Sequence, residues 1–353
     1  MRIENLEAYV KSLPNSEERI KKLVLFQSLP YQVINDSPTV KHYTDWAKFE
    51  EADLTVRPGE LSGDVKLTEL QDTDSGIPHD NRLVPLIEAT AVKGLAEVSG
   101  EKRLVFSSRG KAFSPLNLRL EVKDDARLTL HFKASEGSAI GFLLDFVVPR
   151  SVKARVELIV EPDVTSLVYG RYRARNEGAL ELSVVTTAGR AGRVQGDVRL
   201  AEESVNTFLV RSLGYEGSMD NVINVIHEGP RSVSDGVLKA VSFNSALISI
   251  RGVASISEYA YDSSTSIIGR SFIQGSNAKA VVTPMLEVKT GRVRTAKHSA
   301  SAMKVPEDLL FYLESRGFDK KEANALIVRG FMEDERDSEE VKRVISSVLD
   351  KVL

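Results

Sequence analysis

One stretch of the chain reads Arg127-Leu128-Thr129-Leu130-His131-Phe132-Lys133-Ala134, in which apolar and polar residues alternate without interruption. Successive side chains of a strand point to opposite faces, so this alternation predicts a β-strand with one buried face. The stretch from Ser151 to Val160 has the same period, and further short strands are predicted as far as Thr295. His131 falls on the polar side of its strand, where we expect it to be solvated.

The predicted strands run from about Val84 to Thr295 with no helix of convincing length between them. This pattern leaves an antiparallel sandwich or barrel, or a solenoid that coils strands into stacked turns. Tight hairpin dipeptides are nearly missing, and Asp235-Gly236 is the one clear case. The corners of a solenoid need bends rather than two-residue reversals, so the mainly β region is expected to be a β-solenoid. No strict repeat length emerges from the sequence.

Helical patterns flank the strands on both sides. From Ile3 to about Phe49 the apolar residues fall at helical spacing, interrupted by Pro14 and Pro30. Residues 57–80 are rich in Gly, Pro, Asp and Ser and read as an irregular connection. We therefore expect an N-terminal helical cap and linker over 1–83, a β core over 84–300 and a C-terminal helical domain over 301–353.

The C-terminal domain is predicted to contain three short helices. The first spans about 306–316, with Pro306 at its first position and Gly317 as a left-handed stop. Asp319 and Glu322 form a capping box that starts a second helix over about 320–332. The third is expected from Ser338 to about Lys351, with Asp337 as its N-cap and an apolar face made of Val341, Val344, Ile345, Val348 and Leu349.

Composition limits the classes of partner and site. The 353 residues are 42% hydrophobic and carry a net charge of only −3, so no global basic field draws the chain to nucleic acid or to a membrane. Cys is absent, which excludes disulfides, thiolate metal sites and a Cys nucleophile on this polypeptide. The first twenty residues are charged throughout, and no window approaches 18 uninterrupted apolar residues. We expect a cytoplasmic location.

Two motifs invite a functional interpretation but favour a structural one. The Gly-rich stretch Gly189–Gly196 lacks the Gly-Lys-Ser/Thr end of a phosphate-binding loop and matches no dinucleotide fingerprint, so it is interpreted as a bend between strands. Arg171, Arg173 and Arg175 alternate with other residues and share one face of a strand. We expect an exposed, charge-rich face that discourages edge pairing, with an anion or partner site as the alternative.

Among the five histidines, His298 differs in context because it ends the β region beside the helical domain. An edge of a sheet at that point could meet another chain, which makes His298 a candidate ligand. His227 ends a predicted strand and is expected to bond to a neighbouring carboxylate. His42 and His79 lie in polar, turn-rich stretches and are expected to be structural.

Several motifs between about residues 225 and 332 share their order and spacing with one known family. They read His227-Glu228-Gly229-Pro230-Arg231-Ser232, Asp235-Gly236-Val237-Leu238-Lys239-Ala240, Ser249-Ile250-Arg251-Gly252, Pro284-Met285-Leu286-Glu287-Val288, Lys297-His298-Ser299-Ala300-Ser301, Phe311-Tyr312-Leu313-Glu314-Ser315-Arg316-Gly317 and Ala325-Leu326-Ile327-Val328-Arg329-Gly330-Phe331. In these motifs the chain resembles the SufB/SufD family of iron-sulfur cluster assembly proteins. The stretch from Leu29 to Trp46 is weakly similar, and residues 84–220 match by strand character alone.

The resemblance implies a right-handed parallel β-helix with helical domains at both ends. In this family two subunits pair through their β-helices, and each C-terminal helical domain binds SufC, an ABC-type ATPase. The implied role is that of a scaffold subunit rather than an enzyme. The candidates for ATPase docking are Phe311, Tyr312, Arg316 and Gly317, and the alternative for the two aromatic residues is internal packing of the helical domain.

The surroundings of His298 favour one branch of the family. SufB members typically flank the matching histidine with Glu and carry a sulfur-accepting Cys upstream, whereas this chain has Lys297 and Ser299 as flanks and no Cys. It therefore resembles SufD more closely. The resemblance implies that His298 lies at the interface, where it is a candidate iron ligand shared with the partner chain.

The cofactor implied is an iron-sulfur cluster that forms transiently at the subunit interface and is not held by this chain alone. The expected partners are a SufB-type paralogue in a heterodimer, or a second copy in a resting homodimer, and a SufC-type ATPase. Because the stretch between Ile268 and Pro284 is longer than the family norm, no ligand role is carried over to Asp262, Ser263 or Ser264.

Two alternatives stay open. A β-helix enzyme that acts on carbohydrates would need paired carboxylates on one exposed face. The pairs Asp124–Asp125 and Glu202–Glu203 are adjacent in sequence, so each pair is expected to point to opposite faces of a strand, which is a poor geometry. A purely structural interaction protein with the same fold is the second alternative.

Overall fold

A computed structural model describes residues 1–33 and 41–352 of the chain. The protein is mainly β, with 51% strand and 20% helix. Residues 34–40, which belong to the predicted N-terminal cap and to its weak family similarity, lie outside the described part. None of the described helices is long and apolar enough to cross a membrane.

The described helices form two groups, α1 to α4 within residues 6–90 and α5 to α7 within residues 307–352, and the long strands lie between these groups. The helices are α1 (Leu6–Lys11), α2 (Ser16–Ser28), α3 (Trp46–Glu50), α4 (Leu83–Thr90), α5 (Glu307–Ser315), α6 (Lys320–Met332) and α7 (Glu339–Val352). The strands are β1 (Arg2–Ile3), β2 (Asp53–Val56), β3 (Glu60–Gly63), β4 (Thr68–Glu69), β5 (Lys93–Ser108), β6 (Ala112–Ala134), β7 (Ala139–Val148), β8 (Lys153–Pro162), β9 (Leu167–Asn176), β10 (Ala179–Thr187), β11 (Ala191–Leu200), β12 (Val205–Gly214), β13 (Ser218–His227), β14 (Val233–Phe243), β15 (Leu247–Ile256), β16 (Ser263–Gln274), β17 (Lys279–Val288) and β18 (Val293–Met303).

From β7 onward each strand pairs in parallel with the strand two places further along the chain. The odd-numbered strands β7 to β17 form one sheet and the even-numbered strands β8 to β18 form the other, and we call these the odd sheet and the even sheet. The long strand β6 serves both, since it pairs with β7 and also with β8. The chain is thus a parallel β-solenoid of about eight turns, which confirms the solenoid over the sandwich.

The length of one turn changes along the solenoid. Aligned positions are 24 residues apart between Leu167 and Ala191. They are 32 residues apart between Leu247 and Lys279. The corners absorb the difference while the strands stay in register, which explains why no fixed repeat length is visible in the sequence.

Aromatic rings inside the solenoid lie over glycines of the next turn. Tyr172 is the register partner of Gly196. A Cβ added at Gly196 would lie 1.9 Å from the Tyr172 ring. The bend predicted for the stretch Gly189–Gly196 is right for Gly189 and Arg190, at the corner between β10 and β11, and wrong for residues 191–196, which lie in β11. At Gly196 glycine is needed because only a bare backbone leaves room for the ring.

The N-terminal helices pack against the outer face of the odd sheet, as residues Val10, Leu23, Phe26 and Leu143 share one buried apolar cluster. Helices α1, α2 and α3 confirm the helical interpretation for the described part of the cap. The start of the strand region was placed too early, because residues 83–90 form helix α4. All eight residues of α4 are buried, so their continuous apolar run does not reveal a period.

Glu88 of α4 carries a fully buried carboxylate that ties together three parts of this region. It accepts hydrogen bonds from Lys22 Nζ at 2.7 Å, from His79 Nε2 at 2.7 Å and from Ser75 Oγ at 2.7 Å. Burial alone would raise the pKa of Glu88, but the hydrogen bonds from His79, Lys22 and Ser75 outweigh burial and lower the pKa to about 2. His79 therefore has the structural role that the sequence predicts.

The C-terminal helices pack on the outer face of the even sheet. Val341, Val344, Ile345, Val348 and Leu349 of α7 are buried in one cluster with outward-facing residues of the sheet, among them Ile159, Val185 and Leu213. The predicted capping box of α6 is present, because Asp319 Oδ1 accepts from the Glu322 amide at 2.8 Å and Glu322 Oε2 accepts from the Asp319 amide at 2.9 Å. Gly317 adopts the predicted left-handed conformation, with φ of 98°.

Asp337 does not cap α7, so that prediction is wrong. Its carboxylate binds the guanidinium of Arg211 on β12, with Oδ2 2.5 Å from Nη1 and Oδ1 2.7 Å from Nη2. Arg211 also donates to Met332 O and to Ser183 Oγ, each at 2.8 Å. Arg211 is 0% exposed and the Asp337 side chain 1%, so this buried pair fixes the α6–α7 connection to the sheet.

Candidate functional site: the open end of the solenoid

His298 lies on β18, the last strand of the even sheet. Its register partner on β16 is Ile267, a fully buried residue of the solenoid interior. His298 therefore belongs to the inward-facing row of side chains, yet it is exposed. The reason is that, among the described residues, no further strand extends the even sheet beyond β18.

A single hydrogen bond sets the chemistry of the His298 ring. Nδ1 lies 3.0 Å from the carbonyl oxygen of Pro284 on β17, in the facing sheet. Because a carbonyl oxygen can only accept, Nδ1 carries the proton in this bond. In the tautomer that makes this bond, Nε2 is the ring nitrogen that can act as a metal ligand.

Both sheets end in open edges around His298. Within residues 1–33 and 41–352, the strand registers pair β17 only with β15 and β18 only with β16. The outer edges of these two strands carry backbone donors and acceptors without a partner strand, which is the usual template for pairing with another chain. Val282 and Leu286 of β17 belong to the interior but are only partly buried. The apolar core thus ends at a surface that a second chain could cover.

The donor atoms at this end are too few to hold a metal cluster without help. Among the described residues there is no group of three or more His, Cys, Asp or Glu side chains placed to bind a metal ion. The sequence also contains no Cys, so no thiolate can come from this chain. Of the described residues at this end, His298 offers one nitrogen ligand.

A second exposed surface lies on α5, where no residue is buried. The side chains of Phe311 and Tyr312 are 71% and 51% exposed, so internal packing does not account for these two aromatic residues. The Arg316 guanidinium carbon lies 5.1 Å from the centroid of the Tyr312 ring. We call Phe311, Tyr312, Arg316 and Gly317, together with the exposed Phe318, the α5 surface.

Two histidines have surroundings that differ from their predictions. His131 is fully buried rather than solvated, because α7 covers its face of the sheet, and its Nε2 lies 2.9 Å from Glu161 Oε2. His227 bonds to the hydroxyl groups of Ser232 and Ser234, at 2.7 and 2.8 Å, and not to a carboxylate. Burial lowers the pKa of His227 to about 4, so its ring is neutral near pH 7.

The three arginines of β9 do share one face, but that face is not uniformly exposed. Arg171 is 2% exposed, and it pairs with Asp80 at 2.5 Å and with Asp197 at 3.3 Å. Arg173 and Arg175 both pair with Asp145. The expected exposed, charge-rich face is wrong for Arg171, because the linker that carries Asp80 covers this part of the odd sheet.

A cavity of about 620 Å³ lies between the N-terminal region and the odd sheet, with Trp46, Tyr169, Arg171 and Arg193 among its lining residues. Two of its arginines already have acidic partners, since Arg193 pairs with Asp220 at 2.7 Å and Arg171 with Asp80. We interpret this cavity as part of the junction between the N-terminal helices and the solenoid.

The two acidic pairs considered for a carbohydrate-cleaving site take part in structural contacts. Glu202 and Glu203 lie at a corner rather than within a strand, and both bind the guanidinium of Arg231. The expectation that they point to opposite faces is therefore wrong. Asp125 accepts a hydrogen bond from the Lys153 amide at 2.8 Å. Three of these four carboxylates thus have structural partners.

The fold and its open end define a parallel β-solenoid with helical elements at both ends and unpaired terminal edges. The family model for the SUF system FeS cluster assembly SufBD core domain matches residues 105–331. The chain belongs to the SufBD family.

Curated relatives also support this membership, although each match is either short or low in sequence identity. An iron-sulfur cluster assembly SufBD family protein of Mycobacterium tuberculosis is 31% identical over 120 residues, which cover 34% of this chain and 14% of the relative. One from Staphylococcus aureus is 30% identical over 128 residues, 36% of this chain and 27% of the relative. Another from the same species is 23% identical over 296 residues, 74% of this chain and 63% of the relative. All three matches span less than two thirds of the relative.

Proposed function

We propose that the chain is a SufD-like scaffold subunit of the SUF iron-sulfur cluster assembly complex. It pairs through its solenoid with a SufB-type subunit and binds a SufC-type ABC ATPase through its C-terminal helices. The observation that carries the proposal is the free Nε2 of His298 at an open sheet edge, in a chain that has no Cys. In this role the solenoid forms the pairing domain, residues 301–353 form the ATPase-binding domain, and the N-terminal helices α1 to α4 pack on the outer face of the odd sheet.

The SufD-like assignment depends on the ligands that this chain lacks. The flanks of His298 are Lys297 and Ser299, and both side chains are exposed. Neither residue is a carboxylate or a thiolate, so neither adds a strong iron ligand. A partner of the SufB type would supply the Cys that this chain does not have.

The iron-sulfur cluster is the cargo of the complex, and it is bound transiently where the two subunits meet. Iron accepts mixed ligation by imidazole and thiolate. A neutral His298 whose Nδ1 is held by Pro284 O can direct Nε2 toward a thiolate-bound iron of the partner. The chain itself catalyses no reaction in this proposal, nucleotide hydrolysis belongs to the ATPase, and the complex works in the cytoplasm.

The α5 surface supports ATPase docking because its aromatic side chains are exposed and the adjacent helices α6 and α7 are firmly attached to the even sheet. Phe311 and Tyr312 offer two large aromatic side chains that are 71% and 51% exposed. Helices α6 and α7 are fixed to the even sheet by the buried pair of Arg211 and Asp337. A partner bound to α5 therefore has a mechanical connection to the solenoid. Burial of the two rings at an interface is expected to contribute ~2–4 kcal/mol.

Binding of the purified chain to the SufC-type ATPase of the same organism tests this proposal. We expect the double substitution Phe311→Ala/Tyr312→Ala to weaken binding by about 30-fold or more, as ~2 kcal/mol of lost contact requires. The matched control is Tyr259→Ala, which removes a side chain that is 71% exposed at the corner between β15 and β16. The control should bind like the wild type. Equal affinity of the double variant and the wild type would overturn the docking proposal.

A further inference from the structure

The last turn of the solenoid differs in charge from the rest of the chain. Residues 279–304 contain six Lys or Arg residues and one Glu, which gives this segment a net charge of +5. The whole chain carries −3, so the remaining residues are acidic on balance. The six cations of this segment are Lys279, Lys289, Arg292, Arg294, Lys297 and Lys304.

These cations face solvent and are largely unpaired. All six side chains are exposed. Arg292 pairs with Asp262 at 3.0 Å. The other five form no ion pair within the part of the chain that the structure describes. Their charge is therefore available to a binding partner.

The same segment contains the two open strand edges. We call β17, β18 and their connecting turn the terminal edge. Lys279 begins β17, Lys289 follows its end, and Arg294 and Lys297 lie on β18. If two copies of the chain paired through this edge with two-fold symmetry, a basic edge would face an identical basic edge. Like charges placed opposite each other across paired strands are destabilising.

We infer that the terminal edge selects a second polypeptide whose own terminal strands are acidic, and that its positive charge disfavours pairing with a second copy of this chain. The inference rests on the proposed function, because it concerns the partner for solenoid pairing. Attraction between oppositely charged edges speeds association and suppresses the wrong partner. Two further contributions would supply the remaining affinity: backbone hydrogen bonds between the two edges, and contact between the apolar ends of the two cores.

A polyanion such as nucleic acid fits this surface less well. It would neutralise the cations, but it would leave the backbone donors and acceptors of β17 and β18 unpaired. It would also leave the partly buried Val282 and Leu286 in contact with a strongly hydrated phosphate backbone. A protein edge satisfies all three features together.

Sedimentation equilibrium of the full chain tests the inference without the natural partner. The terminal variant Lys289→Glu/Arg294→Glu/Lys297→Glu changes the net charge of residues 279–304 from +5 to −1. We expect an equimolar mixture of wild type and terminal variant to form a 1:1 dimer at least tenfold tighter than either chain forms alone. Raising the salt to about 1 M, where the Debye length is about 3 Å, should weaken this mixed dimer and strengthen self-association of the wild type.

The matched control variant is Lys21→Glu/Lys66→Glu/Lys111→Glu. It makes the same change in net charge at exposed lysines outside the terminal edge. A mixture of wild type and control variant should not form the mixed dimer. The inference is overturned if the control pairs as well as the terminal variant, or if the wild type alone forms a tight dimer that salt does not affect. It is also overturned if the terminal mixture fails to pair and, in a separate measurement, the wild type binds duplex DNA but the terminal variant does not.

The result separates this inference from the proposed function. If the terminal mixture does not pair but the α5 surface still binds the ATPase, only the inference fails. If the mixture pairs but the α5 surface binds no ATPase, the inference about the terminal edge is supported. The proposed docking of the ATPase is then overturned.

Discussion

Two buried titratable side chains, His227 and Glu88, connect the stability of the protein to pH. The pKa of His227 is lowered from 6.5 to about 4 by burial, because its hydroxyl partners do not compensate for desolvation of the charged ring. The pKa of Glu88 is lowered from 4.5 to about 2, because its hydrogen bonds from His79, Lys22 and Ser75 outweigh burial. Each group therefore takes up a proton more readily in the unfolded chain.

We predict that the free energy of unfolding falls in two separate pH ranges. Between pH 6.5 and 4 the unfolded state protonates His227 and the folded state does not, so stability decreases as pH falls, by up to about 3 kcal/mol. Between pH 4.5 and 2 the same argument applies to Glu88, with a loss of similar size. Urea unfolding at a series of pH values measures both losses.

Two substitutions test which residue causes the loss of stability in each pH range. His227→Gln should remove the decrease between pH 6.5 and 4 and keep the decrease at lower pH. Glu88→Gln should do the opposite, although it also lowers stability at pH 7 because Lys22 and His79 lose their buried partner. A His227→Gln variant with an unchanged decrease above pH 4.5 would show that His227 is not the group responsible.

At the scale of single residues the sequence predicts which face of a strand a side chain occupies, but not what covers that face. His131 and Arg171 both lie on outward-facing rows, as the alternation predicts. Both are nevertheless buried, one beneath α7 and the other beneath the linker that carries Asp80. Their exposure depends on contacts between segments far apart in sequence, and local periodicity contains no information about these contacts.

At the scale of secondary-structure elements, attachment of the C-terminal helices depends on one buried ion pair. Asp337 and Arg211 are both almost completely buried and bind each other through two hydrogen bonds. Removing one member leaves the other charge buried without a partner. The local pattern before α7 suggested a cap at Asp337, but the tertiary pairing with Arg211 takes precedence because a buried guanidinium requires a carboxylate.

We predict that Asp337→Ala lowers the free energy of unfolding by about 3–5 kcal/mol. It should also increase amide hydrogen exchange in α6 and α7 relative to the strands, because the pair holds the connection between these helices. The double substitution Arg211→Met/Asp337→Leu replaces the pair by apolar side chains and should recover most of the loss. If Asp337→Ala changes neither stability nor exchange, the ion pair does not anchor these helices.

At the scale of the whole molecule, the sequence predicted both the type of fold and the family, and the family came from motifs rather than from periodicity. The alternating stretches and the lack of tight turns indicated a solenoid, and the motifs between His227 and Phe331 indicated the family. Helix α4 escaped prediction because all of its residues are buried and no amphipathic period is visible. The open end around His298 also could not be predicted in detail, since it depends on which strand lacks a further neighbour.

The central claim is that this chain contributes an imidazole to a cluster site whose sulfur ligands belong to the partner. His298 is exposed at the open end of the solenoid, and the chain has no Cys. A ligand variant and its control can therefore be placed on adjacent residues, His298→Ala and Ser299→Ala. Ser299 is also exposed and points to the opposite face of β18.

The most direct measurement is the iron and acid-labile sulfide content of the purified complex with the SufB-type subunit and the ATPase, after anaerobic reconstitution. We predict that the wild-type and Ser299→Ala complexes contain both elements, that the His298→Ala complex assembles normally but contains severalfold less, and that this chain alone contains no sulfide. Wild-type iron and sulfide content in the His298→Ala complex, or sulfide bound to this chain alone, would contradict the account.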